Sequence, residues 1–111
     1  MRVALGTAVF ATALNFTPAI AADAIPLFDI DAICARRPSP QVSILCVKSE
    51  QDAYDFLKWM WDSFDEDVRR KATAICLKSA APYECMQNAT VSYQSYADQL
   101  RRMNEPTKFR P

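Results

Sequence analysis

Four cysteines, Cys34, Cys46, Cys76 and Cys85, fall into two close pairs spaced C-x11-C and C-x8-C, with an apolar-striped stretch between the pairs. Metal binding asks for C-x2-C or C-x4-C spacing and a redox dithiol for C-x-x-C, and neither occurs. A chain of this length buries a marginal core unless something staples it, so an even set of cysteines in an exported chain reads as a disulfide framework. The expectation is four structural half-cystines, with no metal and no cofactor.

Export is read from the first residues. Met1-Arg2 supplies one positive charge, residues 3–16 form a short apolar run, and Pro18 precedes the small residues Ala19-Ile20-Ala21-Ala22. That is the pattern of a secretory signal peptide, and the run is shorter than the roughly 20 residues a membrane-spanning helix needs. The expected division is a signal peptide over 1–22, one helical domain over 23–106 and a frayed tail over 107–111. Removing 1–22 takes Arg2 with it and leaves 12 basic against 13 acidic residues. Such a balance steers the chain to neither nucleic acid nor an anionic membrane, and no membrane span is expected once the leader is gone.

Two absences narrow the chemistry. Gly6, the only glycine, lies in the leader, so the domain has no Gly-rich phosphate loop, dinucleotide fingerprint or nucleophile elbow. No histidine occurs, which removes Ser-His and Cys-His nucleophile pairs and the usual zinc ligand.

In chain order, Asp29 can cap a helix over 30–37, with Phe28 placed to staple against Ile33. Pro38-Ser39-Pro40 makes an extended turn, and Ser43 is the candidate cap for the next helix. At 100° per residue, Cys46, Glu50, Ala53, Leu57, Met60 and Phe64 fall within about 40° of one line. That stripe is the expected core face, flanked by Tyr54, Phe56 and Trp61. Asp65 can cap a third helix whose stripe is Val68, Ala72, Ile75 and Ser79, with Lys78 in its last turn. Pro82 suits the first position of a last helix, whose Met86, Ala89, Tyr93, Tyr96, Leu100 and Met103 recur at helical spacing. Strand-like alternation is missing, so the fold class is all-α.

Ala32-Ile33-Cys34 returns as Ala74-Ile75-Cys76, and Cys46 with Tyr54 eight residues on returns as Cys85 with Tyr93. The domain therefore reads as an internal repeat, a small four-helix fold of two disulfide-stapled helical hairpins, pairing Cys34 with Cys46 and Cys76 with Cys85. The rival pairs Cys34 with Cys85 and Cys46 with Cys76 across two long helices, but Pro38, Pro40 and Pro82 would break both.

Phe28-Asp29-x4-Cys34, then Cys46-x3-Glu50-x2-Ala53, then a second cysteine pair after a Trp-containing helix resembles small exported proteins of alphaproteobacteria that are helical, four-cysteine and internally repeated, with no assigned activity. The resemblance covers residues 28 to about 93. It departs from the pattern in lacking a Gly-Gly-Ser-Tyr turn and in having Ala89 where a second glutamate would stand. It implies a compartment and a fold, and transfers no site residue.

Candidate chemistry is sparse. Glu50 lies on the apolar stripe, where a buried carboxylate must be paired. It is read as a structural partner of Arg36, Arg37, Arg69 or Arg70, with an acid–base or ligand-binding role as the alternative. Asp62, Asp65, Glu66 and Asp67 read as a helix cap and its dipole partners, with a catalytic carboxylate pair as the alternative. Trp59 falls on the far side of the wheel, at about 220°, among polar residues. Either Ile25–Phe28 or Phe109 covers it, which is the slightly favoured reading, or it is an interface anchor with Asp55, Lys58 and Asp62 as its polar rim. The functional expectation is a non-enzymatic exported module, periplasmic or secreted, binding an envelope or extracellular protein and inhibitor-like or accessory in role. The alternatives are a small carboxylate-dependent hydrolase or lyase, and a permanent structural subunit of an envelope complex.

Overall fold

The structure, a computed structural model, describes residues 24–105 and Phe109. The expected signal peptide and all of the expected frayed tail but Phe109 lie outside the described residues. Within them the chain is all-helical: α1 (Ile30–Cys34), α2 (Pro40–Met60), a 3-10 turn (Trp61–Ser63), α3 (Glu66–Cys76) and α4 (Pro82–Asn104). Disulfides Cys34–Cys46 and Cys76–Cys85 staple two helical hairpins, α1–α2 and α3–α4, with Cα separations of 5.6 and 5.7 Å, in the range such bridges ask for. The cross-paired alternative is not formed.

The first two helices start for local reasons. Asp29 caps α1 as expected, its Oδ1 accepting from the Ala32 N–H at 3.1 Å. The helix ends at Cys34 rather than residue 37, because the next amides reach back only three residues, Arg36 to Ile33 and Arg37 to Cys34, as Pro38 approaches. α2 is capped by Ser39, whose Oγ accepts from the Val42 N–H at 3.2 Å, and not by Ser43. Pro40 occupies the first helical position, where its missing N–H costs nothing, so the helix begins earlier than expected. The Ser43 hydroxyl instead donates to the Cys34 carbonyl, beside the first disulfide.

The expected stripe holds for Glu50, Ala53 and Leu57, which are buried, and breaks after Met60. There the chain tightens into the 3-10 turn, and Trp61 and Phe64 both enter the interior from outside the α-helical register. Arg69 Nη1 donates to the Trp61 and Phe64 carbonyls, at 3.2 and 2.8 Å, and so satisfies acceptors freed where α2 stops.

Asp65 occupies the N-cap position of α3, but its side chain makes no cap hydrogen bond and turns to Arg101 at 2.9 Å. α3 ends at Cys76, which leaves Lys78 and Ser79 beyond it. Its inner face is Val68, Ala72 and Cys76, and Ile75, expected inside, is exposed. α4 buries Pro82, Tyr83, Met86 and Thr90. The Thr90 hydroxyl is accommodated there by donating to the Met86 and Gln87 carbonyls. Tyr96, Leu100 and Met103, also expected inside, are exposed: at that end of α4 the side that meets α3 carries Gln94, Asp98 and Arg101, which bond Asp65 and one another.

Glu50 meets the start of α4, and Asp65 meets Gln94 and Arg101 near its end, so α2 and α4 run the same way with α3 returning. Between them lies a core of Ala53, Leu57, Trp61, Cys76, Tyr83 and Met86, on which Ile25, Phe28, Ile30 and Tyr54 pack. Complete burial of Leu57 alone contributes about 1.5–3 kcal/mol.

Candidate functional site

Glu50, 1% exposed, stands where the two hairpins meet. Its Oε1 accepts from the Tyr83 N–H at 2.7 Å and its Oε2 from the Glu84 N–H at 3.1 Å. These are second- and third-position amides of α4, which a helix leaves without internal partners. Ala81, at the N-cap position, has no side-chain acceptor, and Pro82 follows it. Glu50 therefore supplies, from the other hairpin, the cap that α4 lacks, and its charge lies at the end of the helix dipole that favours an anion.

None of the four arginines expected to pair with Glu50 is seen doing so. Arg37 donates to the Ala80 carbonyl at 2.8 Å, Arg69 serves the 3-10 turn, Arg70 pairs with Glu66 and Asp67 at 3.3 and 2.8 Å, and Arg36 is exposed. The partner is backbone, and one signal of it stood in the sequence: a helix opening Ala81-Pro82 with no capping side chain, opposite a carboxylate on an apolar stripe.

Tyr83 escaped sequence reasoning altogether. Its hydroxyl donates to the Pro26 carbonyl at 2.7 Å and accepts from the Phe28 N–H at 2.9 Å, tying the extended N-terminal segment to α4. Its ring lies 5.3 Å from that of Phe28, edge-on, and 4.8 Å from that of Tyr54. Burial pushes its phenol pKa up. Phe28 is thus packed on the core through Tyr83. The signal that was available is weak, a tyrosine in the first turn after Pro82, because its partners are backbone atoms more than fifty residues away.

The acidic cluster is spread among cations. Asp65 is bound by Arg101, which also pairs with Asp98, and hydrogen bonds from Arg101 and then Gln94 hold its carboxyl below the usual value. Glu66 and Asp67 share Arg70, and Asp62 is exposed. Among the described residues, no three Asp, Glu or Cys side chains gather as a metal site, and no helix is long and apolar enough to cross a membrane.

Trp59 is 77% exposed. Neither expected cover reaches it: Ile25 and Phe28 pack on the core, and Phe109 is itself 89% exposed. The indole lies against Phe56 in a T-shaped pair, at a ring separation of 6.2 Å and 72°. The rim residues engage one another and the helix surface. Lys58 pairs with Asp55 at 3.6 Å and lies 5.1 Å from the centre of the Tyr54 ring, and Asp55 accepts from Gln51. The arrangement can bind through an aromatic plane.

No family model matches the chain, no curated protein matches its sequence, and no solved structure matches it.

Proposed function

We propose that this chain is an exported, non-enzymatic interaction module that engages a protein of the periplasm or extracellular space through Trp59, with Asp55, Lys58 and Asp62 as polar rim. The observation that carries this reading is the indole standing open on a polar helix face, propped by Phe56, while Trp61, two residues on, is buried. Exposed tryptophan is the residue type most enriched among interface hot spots, and its truncation there typically costs 2 kcal/mol or more, about thirtyfold in affinity. The two disulfides fit an oxidising compartment, and the leader-like residues 1–22 and the resemblance to exported four-cysteine proteins support the periplasmic or secreted assignment. Against a hydrolase or lyase stands the commitment of both Glu50 oxygens to backbone amides and of Asp65, Glu66 and Asp67 to arginines.

Affinity capture from envelope extract with wild type beside Trp59→Ala tests the reading. Wild type should retain a defined partner that the variant loses, while the variant keeps the unfolding midpoint of the wild type. Equal capture by both would sink it. A permanent structural subunit is the second reading, favoured by the exposed Tyr96, Leu100 and Met103 in the last turns of α4; it predicts a partner that stays bound through purification.

A further inference from the structure

We infer that the cleft between the N-terminal segment and α2 is a binding site for an organic ammonium group carried on an alkyl stem. The cleft is open to solvent and offers about 320 Å³, at the small end of ligand sites. Phe28 and Tyr54 are among its lining residues, with the nearly buried Tyr83 packed against both rings, and Asp29, Asp31 and Glu50 are its acidic lining residues. Among the described residues, no basic side chain lines it. Arg37 is turned to the Ala80 carbonyl, and Lys58 pairs with Asp55.

Ring faces attract cations through their quadrupoles, and carboxylates of one sign in a cleft with low-dielectric walls reinforce that field. Lys58, not itself a lining residue, already places its ammonium 5.1 Å from the centre of the Tyr54 ring, so this wall shows the contact within the protein and a probe there competes with Lys58. The charges are unequal in effect. Glu50 is partly offset by the α4 terminus it caps, and Asp29 by the Ala32 amide, so Asp31, exposed in the first turn of α1, is the principal counter-charge. The aliphatic lining from Ile30 and Val47 suits a short alkyl chain. Both Glu50 oxygens are held by N–H donors, so Glu50 serves there as a fixed charge. This inference stands apart from the Trp59 reading, since neither Trp59 nor Phe56 lines the cleft.

The test is an NMR titration of the oxidised protein, purified as the cell delivers it, with 1,5-diaminopentane, N-acetyl-lysine amide and the neutral control 1-pentanol. The two ammonium probes should give saturable millimolar shifts at the amides of Phe28 to Asp31 and of Tyr83, with pentanol about tenfold weaker or more. Asp31→Lys, an exposed change that puts a rival ammonium at the mouth, and Tyr54→Leu, which keeps the wall apolar, should each weaken the probes about tenfold with helicity intact. Comparable binding of both probes assigns the site to lysine side chains of a protein, and preference for the diamine assigns it to free amines; either result supports the inference. Shifts that pentanol reproduces, shifts unchanged in Asp31→Lys, or no saturation with either ammonium probe would overturn it.

Discussion

The two hairpins share a plan and differ in how they hold their second helix. In both, a cysteine-stapled turn leads to a helix opening with proline at its first position, Pro40 in α2 and Pro82 in α4. α2 is capped from within by Ser39, whereas α4 is capped by Glu50 from the other hairpin. The repeat is asymmetric at the matching place, since Glu50 follows Cys46 by four residues and Ala89 follows Cys85 by four. Ala89 has no acceptor to return to α2, and α2 needs none. The first hairpin is therefore self-sufficient at this point and the second is not, and Arg37, reaching from the first turn to the Ala80 carbonyl of the second, adds to the same dependence.

Reducing both disulfides should have the largest effect on that contrast. Each short loop contributes about 3 kcal/mol in the loop-entropy account, so together they match the whole net stability of a small domain. Circular dichroism should show loss of cooperative helix on reduction. Removing Cys76–Cys85 should melt α4, whereas removing Cys34–Cys46 should loosen α4 as well as α2, because Glu50 is carried on α2.

Glu50→Ala comes next, with an expected cost of about 3 kcal/mol, since it leaves buried helix amides unpaired and opens a void. Ser39→Ala, whose freed amide is solvent-exposed, should cost about 1 kcal/mol. Denaturant midpoints compare the two, and equal losses would erase the distinction between the hairpins. Ala81→Asp added to Glu50→Ala should recover part of the loss by giving α4 a cap of its own.

Tyr83→Phe should cost about 1–3 kcal/mol through loss of the tie to Pro26 and Phe28. It also carries a pH signature. Burial raises the phenol pKa above its ordinary 10.0, so the folded state holds the proton more tightly. The stability this represents is fully present below that ordinary value and is lost as pH rises through the folded one. The variant should show a flatter alkaline limb in midpoint against pH.

Asp65→Asn should give the smallest change, confined to the α3–α4 contact at Arg101. The Asp65 pKa lies below its ordinary 3.8, so its contribution is present above that value and disappears as pH falls through the folded one. The difference between wild type and variant should shrink in acid and in salt, since the pair is exposed.

Much of this was legible beforehand because it is local. Cysteine spacing and the prolines specify which half-cystines lie near each other, and both disulfides follow. Asp29 as a cap and Ala53 and Leu57 as core depend on residues within a few turns. The inner faces of α3 and α4 sit part of a turn away from the periodic apolar stripe: Ile75, Tyr96, Leu100 and Met103 keep the helical spacing and face solvent, while Cys76 on α3 and Gln94 and Arg101 on α4 meet the neighbouring helix. Trp59 was placed correctly on the polar side of the wheel, but a cover was expected from segments whose destination a wheel does not show.

An all-helical chain of two stapled hairpins is dictated by short-range rules, because capping, proline geometry and loop closure act over a dozen residues or fewer. The partner of Glu50, the anchorage of the N-terminal segment on Tyr83 and the openness of Trp59 depend on how the hairpins dock. Docking joins backbone amides to side chains 33 to 55 residues away, and a backbone N–H carries no mark in the sequence to say that it is waiting for one.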